Sequence, residues 1–240
     1  KDYAISRHDQ DTLATESHAK ASRAYDEGFY KDLVVPFEGV EKDNIIRHDS
    51  TIQKLASLKT VFDKGVNATL TPGNSTSLTD GSAAVLLASE EWANKNNLDI
   101  ESYITSFEIA AVNYIDNEGL LMAPAYAVSD MLKKQNLNLQ DFDFYEIHEA
   151  FAAQTLATIN AWKSEEFCKS KLGREKVMGS FDHNKLNVKG GSLAIGHPFA
   201  ATGARIVATL SKLLKDNGGG KGLISICTAG GMGITAILER

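Results

Sequence analysis

Hydrophobic positions change their spacing near residue 100, and the chain divides there. In the first part, Leu13, Ala14, Ser17, Ala21 and Ala24 recur at helical intervals, which predicts a helix over residues 6–28. Ser6 stands at its N-cap with Asp9 in the capping-box place, and Gly28 is its stop. Residues 33–37 read as a short extended segment ended by Pro36, and 38–50 as a polar loop. The stripe Ile52, Leu55, Leu58 predicts a second helix over about 50–58. Residues 63–79, rich in Gly, Asn, Ser, Thr and Pro, read as a loop. The small-residue run over 80–89 fits a buried strand or a tightly packed helix, and a surface helix follows over 89–97.

After residue 100 strands and helices alternate. Residues 103–112 read as a strand and 123–136 as a helix with Pro124 in its first turn. Residues 142–147 read as a strand and 149–163 as a long helix. Residues 187–195 lead into a helix over 200–215, and 222–227 and 233–238 are apolar strands joined by a glycine turn. Such alternation predicts a layered α/β domain with its boundary near 98–100.

Composition adds limits. The 240 residues carry 25 Lys and Arg against 31 Asp and Glu, a net charge of −6. That balance excludes a general nucleic-acid binder, which needs a basic face, but not an anionic small ligand held at a helix N-terminus. The two cysteines, Cys168 and Cys227, form no disulfide framework, which points to a reducing compartment. No apolar run approaches the roughly 20 residues needed to span a bilayer. The first residue is Lys1, and the opening residues read as the middle of a longer protein whose targeting signals would lie elsewhere.

The residues with chemistry fall in three segments. His197 lies between Gly196 and Pro198, ahead of the small-residue turn Ala-Ala-Thr-Gly. It reads as an imidazole presented to a cleft or as a loop histidine bonded to backbone. Cys227 ends an apolar strand and opens onto Thr-Ala-Gly-Gly-Met-Gly. It reads as a proton-transfer thiol beside free backbone N–H groups, or as a small buried hydrophobe. His148 and Glu149 sit between a strand and a helix, where α/β sites collect. For Glu149, a first-turn carboxylate favoured by the helix dipole is an equal reading. Cys168, in Glu-Glu-Phe-Cys-Lys-Ser, reads as part of a surface helix without function. No metal-ligand spacing and no phosphate loop is present, and Gly218 to Lys221 reads as a flexible turn.

Taken in order, three segments resemble thiolases. They are His148-Glu-Ala-Phe-Ala, Gly190-Gly-Ser-Leu-Ala-Ile-Gly-His197-Pro-Phe-Ala-Ala-Thr-Gly-Ala-Arg205, and Cys227-Thr-Ala-Gly-Gly-Met-Gly233. The stretches 5–11, 17–21 and 74–81 resemble the thiolase loop domain and its surroundings, so the likeness covers almost the whole chain. Histidine at position 148, where many thiolases have asparagine, is similar to the thiolase subunit of the fatty-acid β-oxidation complex.

The resemblance implies a layered α-β-α-β-α fold. Residues 1–73 would be the remainder of the loop domain, 74–98 the closing strand and helix of the first core domain, and 99–240 the second core domain. It implies an acyltransferase that cleaves 3-ketoacyl-CoA with CoA, or runs the reverse condensation, using coenzyme A as substrate and no bound cofactor or metal. His197 would activate a nucleophilic cysteine, Cys227 would shuttle the second proton, and His148 would support the first oxyanion hole, with Glu149 beside it. The N–H of Ala229 would serve the second oxyanion hole, and Arg47, Phe62 and Thr76 would lie near CoA. The nucleophilic cysteine has no counterpart here and is expected in a missing N-terminal segment. Homo-oligomers, a β-oxidation complex partner, and a cytoplasmic (bacterial) or mitochondrial (eukaryotic) location are further implications. Ala200 and Ala229 depart from the family, where glycine is common. The alternatives are a related condensing enzyme, a non-catalytic acyl-CoA or lipid-binding module of the same fold, and a structural subunit of a complex.

Overall fold

The computed structural model describes residues 3–240; Lys1 and Asp2, the start of the expected 1–73 region, lie outside the described residues. Helix α1 (Arg7–Asp26) begins at a complete capping box. Ser6 Oγ accepts from Asp9 N, and Asp9 accepts from Ser6 N at 2.8 Å. Gly28, just past its end, adopts the left-handed conformation that stops a helix. Short α2 (Ile52–Ala56) starts from the Thr51 hydroxyl. Residues 80–89 enter neither helix nor ladder, and Leu86 and Leu87 are exposed there. A strand forms only against a neighbouring strand edge, and none of the described residues provides one beside this run. Helix α3 (Glu90–Lys95) follows, capped by Ser89.

The remaining chain builds one four-stranded sheet. Strands β1 (Tyr103–Ala111), β2 (Phe144–Ile147), β3 (Lys221–Thr228) and β4 (Met232–Glu239) lie in the order β1-β4-β3-β2. β1 pairs with β4 and β4 with β3 antiparallel, whereas β3 and β2 are parallel. Alternation along the strands sorts their side chains to two faces. Leu223 and Ile237 join the core under α4 (Ala123–Gln135) and α5 (Ala152–Lys163). Ile224 and Leu238 join Ile206, Leu210 and Leu214 of α8 (Thr202–Asp216) on the opposite face. The sheet is thus covered by helices on both sides, as the strand–helix alternation predicts.

Two details differ from the sequence reading. The long helix expected from Glu149 starts at Ala152. Residues 148–152 are held outside it by other partners: His148 N donates to Ser225 O, Thr76 N to Ala150 O, and Ala152 N to Asn74 O. The second is Cys168, in α6 (Glu165–Ser170), which is fully buried rather than on the surface. Its thiol points at the carbonyl oxygens of Ala161 and Trp162. The flanking charges Glu165, Glu166 and Lys169 face outward and mask one inward position in the sequence pattern.

Helix α1 packs on α5 and on the single turn α7 (Ser192–Ile195). Ala21 and Ala24 meet Ala194 and Ile195, so the small residues of α1 set a close approach to the segment that carries the candidate histidine. Among the described residues no helix is long and apolar enough to cross a membrane.

Candidate active site

The parallel pair β2 and β3 ends at one sheet edge, and three candidate side chains gather there. Pairing of Ile147 with Ser225 continues into the bond from His148 N to Ser225 O at 2.9 Å. Cys227 lies two positions further along β3, so the register brings it to the same edge as His148. His197 arrives from the connection between α7 and α8. Its N–H donates to Ser77 O at 2.8 Å, and its ring centroid lies 4.4 Å from that of His148. Segment 74–79 therefore runs beside both histidines, bridging Ser75 to Phe151 and Leu78 to His197.

Polar side chains fix each ring. Ser192 Oγ lies 2.8 Å from His148 Nδ1, and Arg205 Nη2 donates to the same oxygen at 2.8 Å. Thr202 Oγ1 lies 2.7 Å from His197 Nδ1. The Cys227 thiol donates to Gln154 Oε1 at 3.5 Å. Burial pushes His148 down to about 3, helped by the charges of His197 and Arg205. Burial and then Arg205 also lower His197, while burial pushes the Cys227 thiol up to about 12. At neutral pH the two imidazoles are uncharged and the thiol keeps its proton. Such a set can accept a proton, supply one, and donate hydrogen bonds to a developing oxyanion.

Glu149 is neither exposed nor a first-turn carboxylate. It is 1% exposed and accepts from Ser17 Oγ at 2.7 Å, Asn187 Nδ2 at 2.7 Å and Leu193 N at 3.1 Å. Its carboxyl joins α1, the 187–191 loop and α7. Burial raises its pKa against the pull of those three donors. Gly191 has to be glycine here, because a Cβ would lie 2.3 Å from Glu149 Oε2. Ala200 adopts φ +65, a left-handed conformation that suits the glycine common at this place in the family.

The other expected residues are less concentrated. The Thr76 hydroxyl donates to Ser192 O at 2.6 Å, which ties it to the histidine segment. Phe62 is 62% exposed and packs edge-on against Phe151 at 5.3 Å. Arg47 is exposed and donates its backbone N–H to His18 Nδ1. Ala229 sits exposed in the turn after β3. Sequence reasoning passed over Ser192, Arg205, Gln154, Asn187 and Ser17. Their signal was polar residues set among small and apolar ones, as with Gln154 in α5. Among the described residues no metal-binding group of three or more side chains gathers.

Comparison with known proteins addresses the whole chain. The family model described as "Thiolase, C-terminal domain" matches residues 98–240, well over half of the chain, and "Thiolase, N-terminal domain" matches residues 1–91. The chain belongs to the thiolase family. Relatives named 3-ketoacyl-CoA thiolase from Shewanella loihica and Pseudoalteromonas translucida are 43% and 44% identical over 245 residues. Each comparison covers 100% of this chain and 56% of the relative, so the chain spans little more than half their length. Among solved thiolase-family structures, the Bacillus anthracis acetyl-CoA acetyltransferase aligns with TM-score 0.84 at 35% identity, covering 99% of this chain and 57% of that one. Human mitochondrial 3-ketoacyl-CoA thiolase in complex with CoA aligns with TM-score 0.82 at 32% identity, covering 100% and 56%. The fold is the thiolase fold, as the sequence motifs imply.

Proposed function

We propose that this thiolase-family chain supplies the acid–base half of a 3-ketoacyl-CoA thiolase site. The observation that carries the reading is the pairing of His148 and His197, ring centroids 4.4 Å apart, at the sheet edge that Cys227 reaches along β3, with both imidazoles held neutral and the thiol protonated. The reaction is cleavage of a 3-ketoacyl-CoA by CoA to acetyl-CoA and a shortened acyl-CoA, or the reverse condensation. CoA is then a substrate, and no further cofactor is required.

In this reading His197 removes the proton from a nucleophilic thiol, which attacks the keto carbon and takes the acyl group. Cys227 gives a proton to the departing acetyl carbanion, then collects one from the incoming CoA thiol. His148 and the N–H of Ala229 stabilise the tetrahedral oxygens. Exposed Arg47 and Phe62 are suited to the nucleotide end of CoA. Thr76 and Glu149 hold the loops around the histidines, since their polar atoms are bonded within the protein.

The nucleophile comes from the part of thiolases that this chain does not match. Cys227 occupies the second-cysteine motif, and Cys168 is sealed between its own helix α6 and α5. Residues 1–73, 74–98 and 99–240 take the loop-domain, first-core and second-core places. The exposed Phe107 and Ile109 of β1, with Leu86 and Leu87, offer an apolar surface for the remaining segment or for a second subunit. A β-oxidation role, in bacterial cytoplasm or in mitochondria, follows from the same reading.

The test is thiolysis of acetoacetyl-CoA. The 240-residue chain alone should show none, and the polypeptide completed to the length of its relatives should show it. Robust thiolysis by the chain alone contradicts the assignment of the nucleophile. An acyl-CoA-binding module without catalysis is the second reading, favoured if the completed polypeptide binds acyl-CoA and turns none over.

A further inference from the structure

We propose that Ser192, Arg205 and Thr202 are positioning residues that lock the two site histidines in opposite tautomers, His148 protonated on Nε2 and His197 on Nδ1. The inference starts from what each group is able to donate. A guanidinium has no acceptor, so Arg205 Nη2 donates a hydrogen bond to Ser192 Oγ at 2.8 Å. Ser192 is 1% exposed, and its hydroxyl has one proton of its own. Among the described residues the only other partner of that oxygen is His148 Nδ1 at 2.8 Å. Were Nδ1 protonated, the serine oxygen would receive two donors and its own buried O–H would have no acceptor. A buried donor left unmatched biases the tautomers by about tenfold or more. Ser192 therefore donates to His148 Nδ1, and the ring proton of neutral His148 sits on Nε2.

The same accounting reverses at His197. The Thr202 hydroxyl donates to Pro198 O at 3.3 Å, one turn back in the chain. Its oxygen then accepts from His197 Nδ1 at 2.7 Å. The proton of neutral His197 sits on Nδ1, and Nε2 carries a lone pair. Two rings with centroids 4.4 Å apart thus differ in role through their partners alone: one keeps an N–H to donate, the other a nitrogen to take a proton. Burial and the Arg205 charge keep both rings neutral, the condition under which a tautomer is defined.

The tautomers themselves do not depend on the proposed activity, but their catalytic use rests on the thiolase reading. There, the S–H bond of the attacking thiol breaks, its electron pair stays on sulfur, and the proton bonds to His197 Nε2. His148 Nε2–H then donates a hydrogen bond to the oxyanion.

The test is long-range 1H–15N correlation of the full chain labelled with 15N-histidine. The expected wild-type spectrum has a pyridine-like Nδ1 at His148 and a pyridine-like Nε2 at His197. Ser192→Ala should turn His148 into a mixture of tautomers, and Ser192→Thr, which keeps the hydroxyl, should restore the single form. Ser192→Gly, which also removes the hydroxyl, is a second route to the same mixture should Ser192→Ala fail to fold. His148 protonated on Nδ1 in the wild type, or an unchanged single tautomer in both variants, overturns the proposal. In the completed polypeptide, Ser192→Ala should lower kcat for thiolysis at least tenfold with KM within about twofold. Confirmed tautomers with no effect on any turnover would instead count against the thiolase reading, so the two failures are distinguishable.

Discussion

Replacing Glu149 by glutamine tests the joint that holds the site together. The carboxylate receives Ser17 Oγ and Leu193 N on Oε2 and Asn187 Nδ2 on Oε1. A glutamine keeps an acceptor on one side only. With its oxygen toward Ser17 and Leu193, its NH2 group meets Asn187 Nδ2, donor against donor. Asn187 cannot turn over to relieve this, because its Oδ1 accepts from Ile147 N and its Nδ2 donates to Ile147 O, both at 2.9 Å. One hydrogen bond of 2.7 Å is lost and two buried donors go unmatched, at about 1–3 kcal/mol for each unmatched group. Relief from burying an ionisable carboxyl, whose pKa burial raises, offsets part of this. The net expectation for Glu149→Gln is a loss of about 2–4 kcal/mol. At roughly 2–4 °C per kcal/mol for a chain of this size, Tm should fall by about 5–15 °C. Thermal unfolding by calorimetry or circular dichroism reads it. Hydrogen exchange should also speed up in α1 and around 187–195, which the carboxylate joins. Glu165→Gln, which removes a solvent-exposed pair with Lys169, is the control and should leave Tm within about 2 °C. An equally small change in Glu149→Gln would refute the reasoning.

Three further expectations follow from the same contacts. Gly191→Ala forces a Cβ to 2.3 Å from Glu149 Oε2, and should cost at least about 2 kcal/mol in urea unfolding. Stability should depend on pH in two opposed windows. His148, lowered from 6.5 to about 3, loses stability for the fold as pH falls from 6.5, at about 1.4 kcal/mol per unit. Buried Glu146, raised from 4.5 to about 8, loses it as pH rises from 4.5 towards 8. Buried His18, lowered to about 4, adds to the first side and Glu149, raised by burial, to the second, so the two sides oppose each other between 4.5 and 6.5, and Glu146→Gln should reduce the decline between 6.5 and 8. Finally, neither thiol should react quickly with Ellman's reagent in the native chain at pH 8, because Cys168 is fully buried and the Cys227 thiol is held near 12. Both should titrate after denaturation, and rapid native labelling of either would contradict its burial.

Much of the fold was legible where local physics and tertiary packing agree. The capping box at Ser6 and Asp9 formed as read, and the four strands after residue 100 fall where alternation placed them. Residues 80–89 were open in the sequence, since small residues fit strand or helix equally, and in the structure they enter neither. The start of α5 was hidden because the bonds that hold 148–152 outside the helix come from positions 74–76 and 225, far along the chain. Burial of Cys168 was masked by charged neighbours. At the site, His148, His197 and Cys227 were visible from residue type and surroundings. The partners that set their state were not. Ser192 meets Arg205 and His148 across 13 and 44 residues, and Glu149 meets Ser17 across 132. No short-range pattern signals such pairs.

The most direct measurement is acetoacetyl-CoA thiolysis by the polypeptide completed to its relatives' length, compared with its Cys227→Ala variant. Acid–base catalysis at Cys227 predicts a fall in kcat of about 10²–10⁴-fold with acyl-CoA binding retained. A variant that turns over at the wild-type rate would contradict the assignment of this chain as the proton-transferring half of the site.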